Sequence, residues 1–242
     1  MCEIFVTPGL VGDHVHARLS RAGIPVRRYD GGEQDPSRME SVFLDHLPLT
    51  AERAAPLIDT IARHARRVVY VSSAFHSEVE KLIEHSGIPW TMLRPGSFAA
   101  DALAFAAQVR AGVVRWPYGG AGRAVIHEKD VAAVATHVLA SAGHGGRRYA
   151  LSGPETLTQV EQVRVIGEVT GREVRWEEPA PGLARAELLK VWADEAVVDA
   201  KLEEWGTFAG SPEVVTNTVR VLTGRPPRTF RQWAQDHADA FR

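Results

Sequence analysis

Ser72, Ser73 and His76 follow the β-branched and aromatic run Val68-Val69-Tyr70-Val71, and Glu80 stands four residues beyond His76. An imidazole near neutrality can donate or accept a proton, and a helix N-terminus favours its neutral form. A carboxylate one helical turn on can orient or charge that imidazole, so His76, Ser73 and Glu80 form a candidate catalytic group. A solvent-facing His-Glu pair is the alternative, equally open on spacing alone. A second group, Gly9, Leu10, Val11 and Gly12, follows the apolar run Glu3-Ile4-Phe5-Val6. Backbone N–H groups at a helix start after a strand can meet a pyrophosphate. Only two glycines are present, and Pro8 removes a donor, so a structural tight turn is the competing reading. Asp30 lies near the separation from this turn at which an acid meets an NAD ribose, whereas Arg27 or Arg28 would attract a 2′-phosphate. NAD and NADP therefore both stay open.

These groups need elements to hold them. Val68 to Val71 and Trp90 to Leu93 read as two buried strands, and between them Val79, Leu82 and Ile83 recur at helical spacing. The unit is strand, helix, parallel strand. Ligands sit beyond the carboxyl ends of parallel strands, which puts Ser72, Ser73, His76 and Arg94, Pro95, Gly96 and Ser97 in the region of interest. Upstream, Val11, Val15 and Leu19 mark a first helix, and residues 25–30 a second strand. The turn-rich stretch GGEQDPSRM then leaves no room for a full helix and strand before Val42-Phe43-Leu44. Residues 49–65 resume helical periodicity.

Farther on, residues 99–109 read as one long Ala-rich helix and residues 113–116 as a strand. The loop over residues 117–122 is rich in glycine and carries apolar surface from Trp116 and Tyr118, so it can cover a substrate; a plain hairpin connection is the other reading. Residues 124–127 read as a short strand, with Asp130 as an N-cap. His127 is either a packed histidine or a substrate contact. Thr158 and Glu161 form a capping-box signature before a helix over residues 159–170. Helices around residues 183–191, 196–205 and 230–241 make up the end of the chain. There Trp192, with Trp205 and Phe208, lines either a pocket or a small core. The expected organisation is a core over residues 1–150 and a mostly helical substrate-side lobe over residues 151–242, within one compact unit.

Composition excludes several classes. A formal charge of -2 and 45% apolar content over 242 residues suit a globular protein and give no nucleic-acid footprint. A single cysteine, Cys2, rules out an intrachain disulfide and a cysteine-rich metal site, and no metal is expected. No apolar run approaches the length of a membrane span. The expected protein is cytoplasmic, a monomer or homodimer, and works on a small molecule without nucleic acid or membrane.

Five segments carry a resemblance that covers nearly the whole chain: VVYVSS, SGIPWTMLRPGSF, IHEKDVAAV, YALSGPETLTQVEQVRVIGEVTGREV and TNTVRVLTGRPPRTFRQWAQDHADAF. With the first-strand glycine turn, they resemble the NmrA-like group of atypical short-chain dehydrogenases/reductases. The resemblance implies an α/β fold: a Rossmann-like parallel sheet flanked by helices with a small helical C-terminal lobe. It also implies an NAD(P)-binding oxidoreductase, in natural-product metabolism among other roles. On that footing Gly9, Leu10, Val11, Gly12, Arg28, Asp30, Ser72 and Pro95 would hold NAD(P)H. Ser97, Phe98, Trp116, Tyr118, His127 and Trp192 would line the substrate pocket.

The chain departs from the pattern in three places. The glycine loop is about two residues short, the βα unit after Asp30 is largely missing, and the Tyr-Lys pair of short-chain reductases is absent. His76 stands where several similar reductases have an active-site lysine. Three readings follow: an NAD(P)H-dependent reductase of a small or polycyclic carbonyl or quinone, a cofactor-independent dehydratase, isomerase or cyclase, and a dinucleotide-sensing or partner-binding regulator.

Overall fold

The computed structural model describes residues 3–29, 39–45, 51–72 and 77–242. In chain order the elements are β1 (Glu3–Val6), α1 (Gly12–Arg21), β2 (Val26–Arg28), β3 (Met39–Leu44), α2 (Ala51–His64), β4 (Val68–Val71), α3 (Ser77–His85) and β5 (Trp90–Pro95). A 3₁₀ turn (Ala99–Phe105), α4 (Ala106–Arg110), β6 (Val113–Arg115), β7 (Gly122–Arg123), α5 (Glu128–Ala140) and β8 (Arg147–Leu151) follow. The last elements are β9 (Leu157–Thr158), α6 (Gln159–Thr170), β10 (Arg175–Glu177), α7 (Pro181–Trp192), α8 (Glu195–Gly210), α9 (Thr218–Thr223) and α10 (Phe230–Asp236). They form two compact units. The first takes Met1–Gly96, Glu128–Leu151 and Asn217–Pro226, and the second Ser97–His127, Ser152–Thr216 and Pro227–Arg242.

The first unit is built on a six-stranded sheet in the order β2-β1-β3-β4-β5-β8, parallel throughout. Val68 and Tyr70 of β4 face one side, where they pack with Val42, Leu44, Ile58, Ile61, Val79 and Ile83. The two-residue period of a strand turns Val69 and Val71 to the other side, and both are fully buried as well. Burial on both faces explains why these strands read as continuous apolar runs. Helix α1 packs on α5 and α5 on α9, while α2 packs on α3. The chain runs from β1 to β2 on one side and then to β3 on the other, so the strand order reverses at β1. Among the described residues β2 is the edge strand on this side of the sheet. A crevice at the carboxyl ends of β1 and β3 is where such a reversal places a ligand.

The second unit gathers the short pairs β6-β10 and β7-β9 with α4, α6, α7, α8 and α10 around an aromatic core. Helix α6 begins as its sequence predicts: the Thr158 side chain accepts from the Glu161 N–H, and the Glu161 carboxylate accepts from the Thr158 N–H at 2.8 Å. These bonds hold the Glu161 carboxyl below the usual carboxylate range. Thr158→Ala should cost about 1 kcal/mol, read as a lower urea midpoint with an unchanged slope, and Thr158→Ser should recover most of it. An unchanged midpoint in the alanine variant would mean the cap adds nothing to stability.

The α/β architecture, with a Rossmann-like parallel sheet, flanking helices and a mainly helical C-terminal lobe, stands as predicted. Several local expectations do not. Residues 99–109 form a 3₁₀ segment and then the short α4, with the Ala99 N–H on the Ile126 carbonyl at 2.9 Å beside a bridge between Phe98 and Ile126. That bridge is all that residues 124–127 contribute as strand. Helix α5 starts at Glu128, so Asp130 lies inside its first turn and is not its N-cap. Helix α9 had no counterpart in the sequence reading. Among the described residues no helix is long and apolar enough to cross a membrane.

Candidate functional site

The glycine turn of the first unit has the shape of an anion cradle. Gly9 sits at φ +149°, and a Cβ there would stand 2.4 Å from Oδ2 of Asp45; a Cβ on Gly12 would meet the Thr7 carbonyl oxygen at 1.9 Å. Close approach, together with the positive φ at Gly9, thus demands both glycines. The N–H groups of Val11 and Gly12 converge on one point, as phosphate-binding helix starts do. That point is taken by Asp45, whose Oδ2 accepts from both at 2.8 Å. Asp45 follows the last residue of β3 and is 1% exposed. Its own N–H donates to Thr7 Oγ1 at 2.7 Å, and that hydroxyl donates to the Phe43 carbonyl at 3.3 Å. The donor set therefore suits a phosphate oxygen, and a carboxylate of the same chain stands on it. Sequence reasoning stopped at Leu44 and missed Asp45; the available signal was an acid directly after a buried apolar strand.

The other nucleotide candidates scatter. Leu10 is exposed, Val11 is buried and Pro95 is buried at the end of β5. Arg28 pairs with Asp13 in the first turn of α1, whereas Arg27 pairs with Glu3, so Arg28 is the arginine beside the glycine turn. Asp30 lies outside the described residues, as do Ser73 and His76.

Around the carboxyl end of β4 the side chains form a closed ionic cluster. Glu80 is buried, and Arg94 of β5 holds it in a bidentate pair, with Nε at 2.8 Å from Oε1 and Nη2 on Oε2. Burial pushes the Glu80 carboxyl up, but hydrogen bonds from Arg94 and Ser72 and the charges of Arg94 and Arg148 outweigh it, and the net displacement is downward. Glu80 is thus a fixed anion engaged with Ser72 and Arg94, the latter a partner that helical spacing from His76 did not suggest. Ser72 is itself buried, with its N–H on the Leu93 carbonyl at 2.8 Å. Tyr70 is fully buried beneath; burial, then the Glu80 charge, drives its hydroxyl far above its ordinary range, which keeps it protonated.

In the second unit Ser97, Phe98, Trp116 and Trp192 share the wall of one narrow cavity of about 40 Å³. This is well under the roughly 300–1,000 Å³ of an open ligand pocket. Arg123, 4% exposed, adds charge to the wall and is held by Glu204 at 3.0 Å and Glu213 at 3.1 Å. A wider groove of about 640 Å³ lies beside α7, with Trp116, Pro117 and Glu178 in its lining. Tyr118 and His127 lie elsewhere in the unit. Tyr118 packs by Gly206, and His127 is buried with Nε2 3.3 Å from an Asp236 carboxylate oxygen. The loop over residues 117–122 is tied down: Gln159 donates to the Pro117 and Tyr118 carbonyls, and the Tyr118 and Gly119 N–H groups donate to Glu178. Trp116 is core, 2% exposed and edge-on to Phe105 and Trp192, so the covering role expected of it gives way to a packing role.

No family model matches the chain. It is 42% identical over 169 residues to the (4-alkanoyl-5-oxo-2,5-dihydrofuran-3-yl)methyl phosphate reductase of Streptomyces griseus. It is 32% identical over 170 residues to the NAD(P)H azoreductase of Xenophilus azovorans. Each alignment takes in 68% of this chain and 58% of the relative, so the chain spans less than two thirds of the length of these relatives. The crystal structure of an NADPH-dependent quinone oxidoreductase from Escherichia coli has the same fold, with a TM-score of 0.78 over 98% of this chain and 99% of that one at 22% identity. The chain has a Rossmann-type fold and is related in sequence to oxidoreductases.

Proposed function

We propose that the chain is an NAD(P)H-dependent reductase of a small carbonyl- or quinone-type metabolite, within the NmrA-like atypical short-chain reductases. The carrying observation is the pair of convergent N–H donors on Val11 and Gly12 at the point where the strand order reverses. A reductase relative at 42% identity supports the same class. A bound nicotinamide supplies hydride to an electrophilic carbon of the substrate. The chain's own work is to hold and to protonate. Val11 and Gly12 would donate to the pyrophosphate, Arg28 would offer a cation for a 2′-phosphate, and Phe98 and Trp192 would give the substrate apolar walls. On the sequence argument His76 delivers the proton, with Ser73 and Glu80 as its candidate partners, and Arg94 holds the Glu80 carboxylate in place. The same proposal places the protein in the cytoplasm as a monomer or homodimer.

One observation favours a second reading, a cofactor-independent acid-base enzyme on the same fold: the Asp45 carboxylate on the phosphate donors. Titration with NADH and NADPH separates the two, followed by nicotinamide fluorescence and by heat of binding. The reductase reading expects saturable binding of at least one form and turnover of a quinone or conjugated carbonyl. No binding of either form at high micromolar concentration, by the natural protein and by a variant without the Asp45 carboxylate, would remove it.

A further inference from the structure

We propose that Asp45 is an internal anion that sets how tightly this chain holds a dinucleotide, because its carboxylate occupies the phosphate position of the glycine turn and must be displaced for a pyrophosphate to bind. The inference rests on the nucleotide reading above and says which residue governs it. Helix α1 has no side-chain cap of its own, since Val11 stands at its N-cap. Asp45 supplies that cap from the end of β3, 33 residues away from Gly12, with both bonds at 2.8 Å. The positive end of the helix and two aligned N–H groups are what a phosphate would use, and a carboxylate uses them equally well. The two anions cannot share the position. At hydrogen-bonding range their charges repel in a buried site where screening is weak, and with a Gly9 Cβ position only 2.4 Å from Oδ2 there is no room for a second group.

Displacement takes the carboxylate off the two N–H groups, and the backbone of Asp45 is held separately from them, through its N–H on Thr7 Oγ1 and beside the pairing of β3 with β1. The apparent affinity for a dinucleotide is then the intrinsic affinity reduced by the fraction of molecules with the turn vacant. Removing the carboxylate removes that reduction. A ligand without phosphate has no use for the turn and should not notice the change.

The test compares the natural protein with Asp45→Ala and Asp45→Asn, using NADPH and, as the phosphate-free probe, reduced nicotinamide riboside. Calorimetry and nicotinamide fluorescence report affinity independently of turnover. Asp45→Ala is expected to bind NADPH at least tenfold more tightly, with the riboside unchanged. Asp45→Asn keeps an acceptor for the turn and loses the charge, so it should gain less but in the same direction, and it carries the test where the alanine variant does not fold. Equal or weaker NADPH binding by the variants, beside clear binding by the natural protein, overturns the inference and leaves the reductase reading intact. Failure of all three proteins to bind NADPH overturns both.

Discussion

Trp116→Ala is expected to be among the most destabilising single substitutions in the second unit, at about 3–5 kcal/mol. The indole is 2% exposed, meets Phe105 edge-on at 5.2 Å and Trp192 at 5.5 Å, and lies 5.8 Å from Trp205. Truncation would lose all three ring contacts and leave a cavity that neighbours on α7, α8 and the 3₁₀ turn cannot easily fill. For a chain of this length the loss corresponds to a melting point lower by on the order of 10 °C. Trp116→Phe should recover most of it. The smaller ring keeps the edge-on packing and removes an indole N–H that is buried without an acceptor among the described residues. Denaturant melts of both variants check the ordering. An alanine variant as stable as the natural protein, but impaired only in substrate turnover, would return Trp116 to the covering role that its glycine-rich surroundings suggested.

The contrast between Trp116 and its loop shows what sequence patterns carry. Strands β4 and β5 and helix α3 were legible because each buries a face at its own period, and Val68 to Val71, Val79, Ile83 and Met92 all reach the core. Glycines at 119, 120 and 122 looked like a mobile cover, yet Gly119 has a different cause: a Cβ there would come within 2.6 Å of the Trp176 indole nitrogen. Close packing and mobility leave the same letter in the sequence. Residues 99–109 departed from the expected single helix, since alanine spacing suits an α-helix while the backbone there is 3₁₀ before it turns α at Ala106.

Candidate site residues were harder to read because their partners are remote in sequence. Asp45 meets Val11 and Gly12 only after β1 and β3 pair, and no local period announces that contact. Glu80 looked like a helical neighbour of His76 at four residues, and its strong partner proved to be Arg94, 14 residues along on the adjacent strand. Nearness along a helix proposes a pair. A desolvated carboxylate settles for the guanidinium that can satisfy both its oxygens.

That preference makes Arg94→Ala the second large effect. Glu80 has a side chain only 5% exposed, and Arg94 is 46% exposed. Removing one member of a buried pair leaves the other charge uncompensated, which costs about 3–5 kcal/mol where both are buried. Solvent already screens the exposed guanidinium, so about 2–3 kcal/mol is expected here. The pH dependence has a definite sign. In the natural protein the Glu80 carboxyl lies below its ordinary value, so its contribution is present above the unfolded-state value of roughly 4.3 and fades as pH falls through the folded one. Without Arg94, burial dominates and lifts the carboxyl, so the variant regains stability as acid protonates it. The gap between the two proteins should therefore be widest at neutral pH and narrow toward about pH 4–5. Urea midpoints across that interval check it. In a Glu80→Gln background the same arginine substitution should cost much less, because no buried charge is stranded. A pH-independent deficit, or an equal loss in the glutamine background, would mean that Arg94 acts through its packing and that the ion pair adds little.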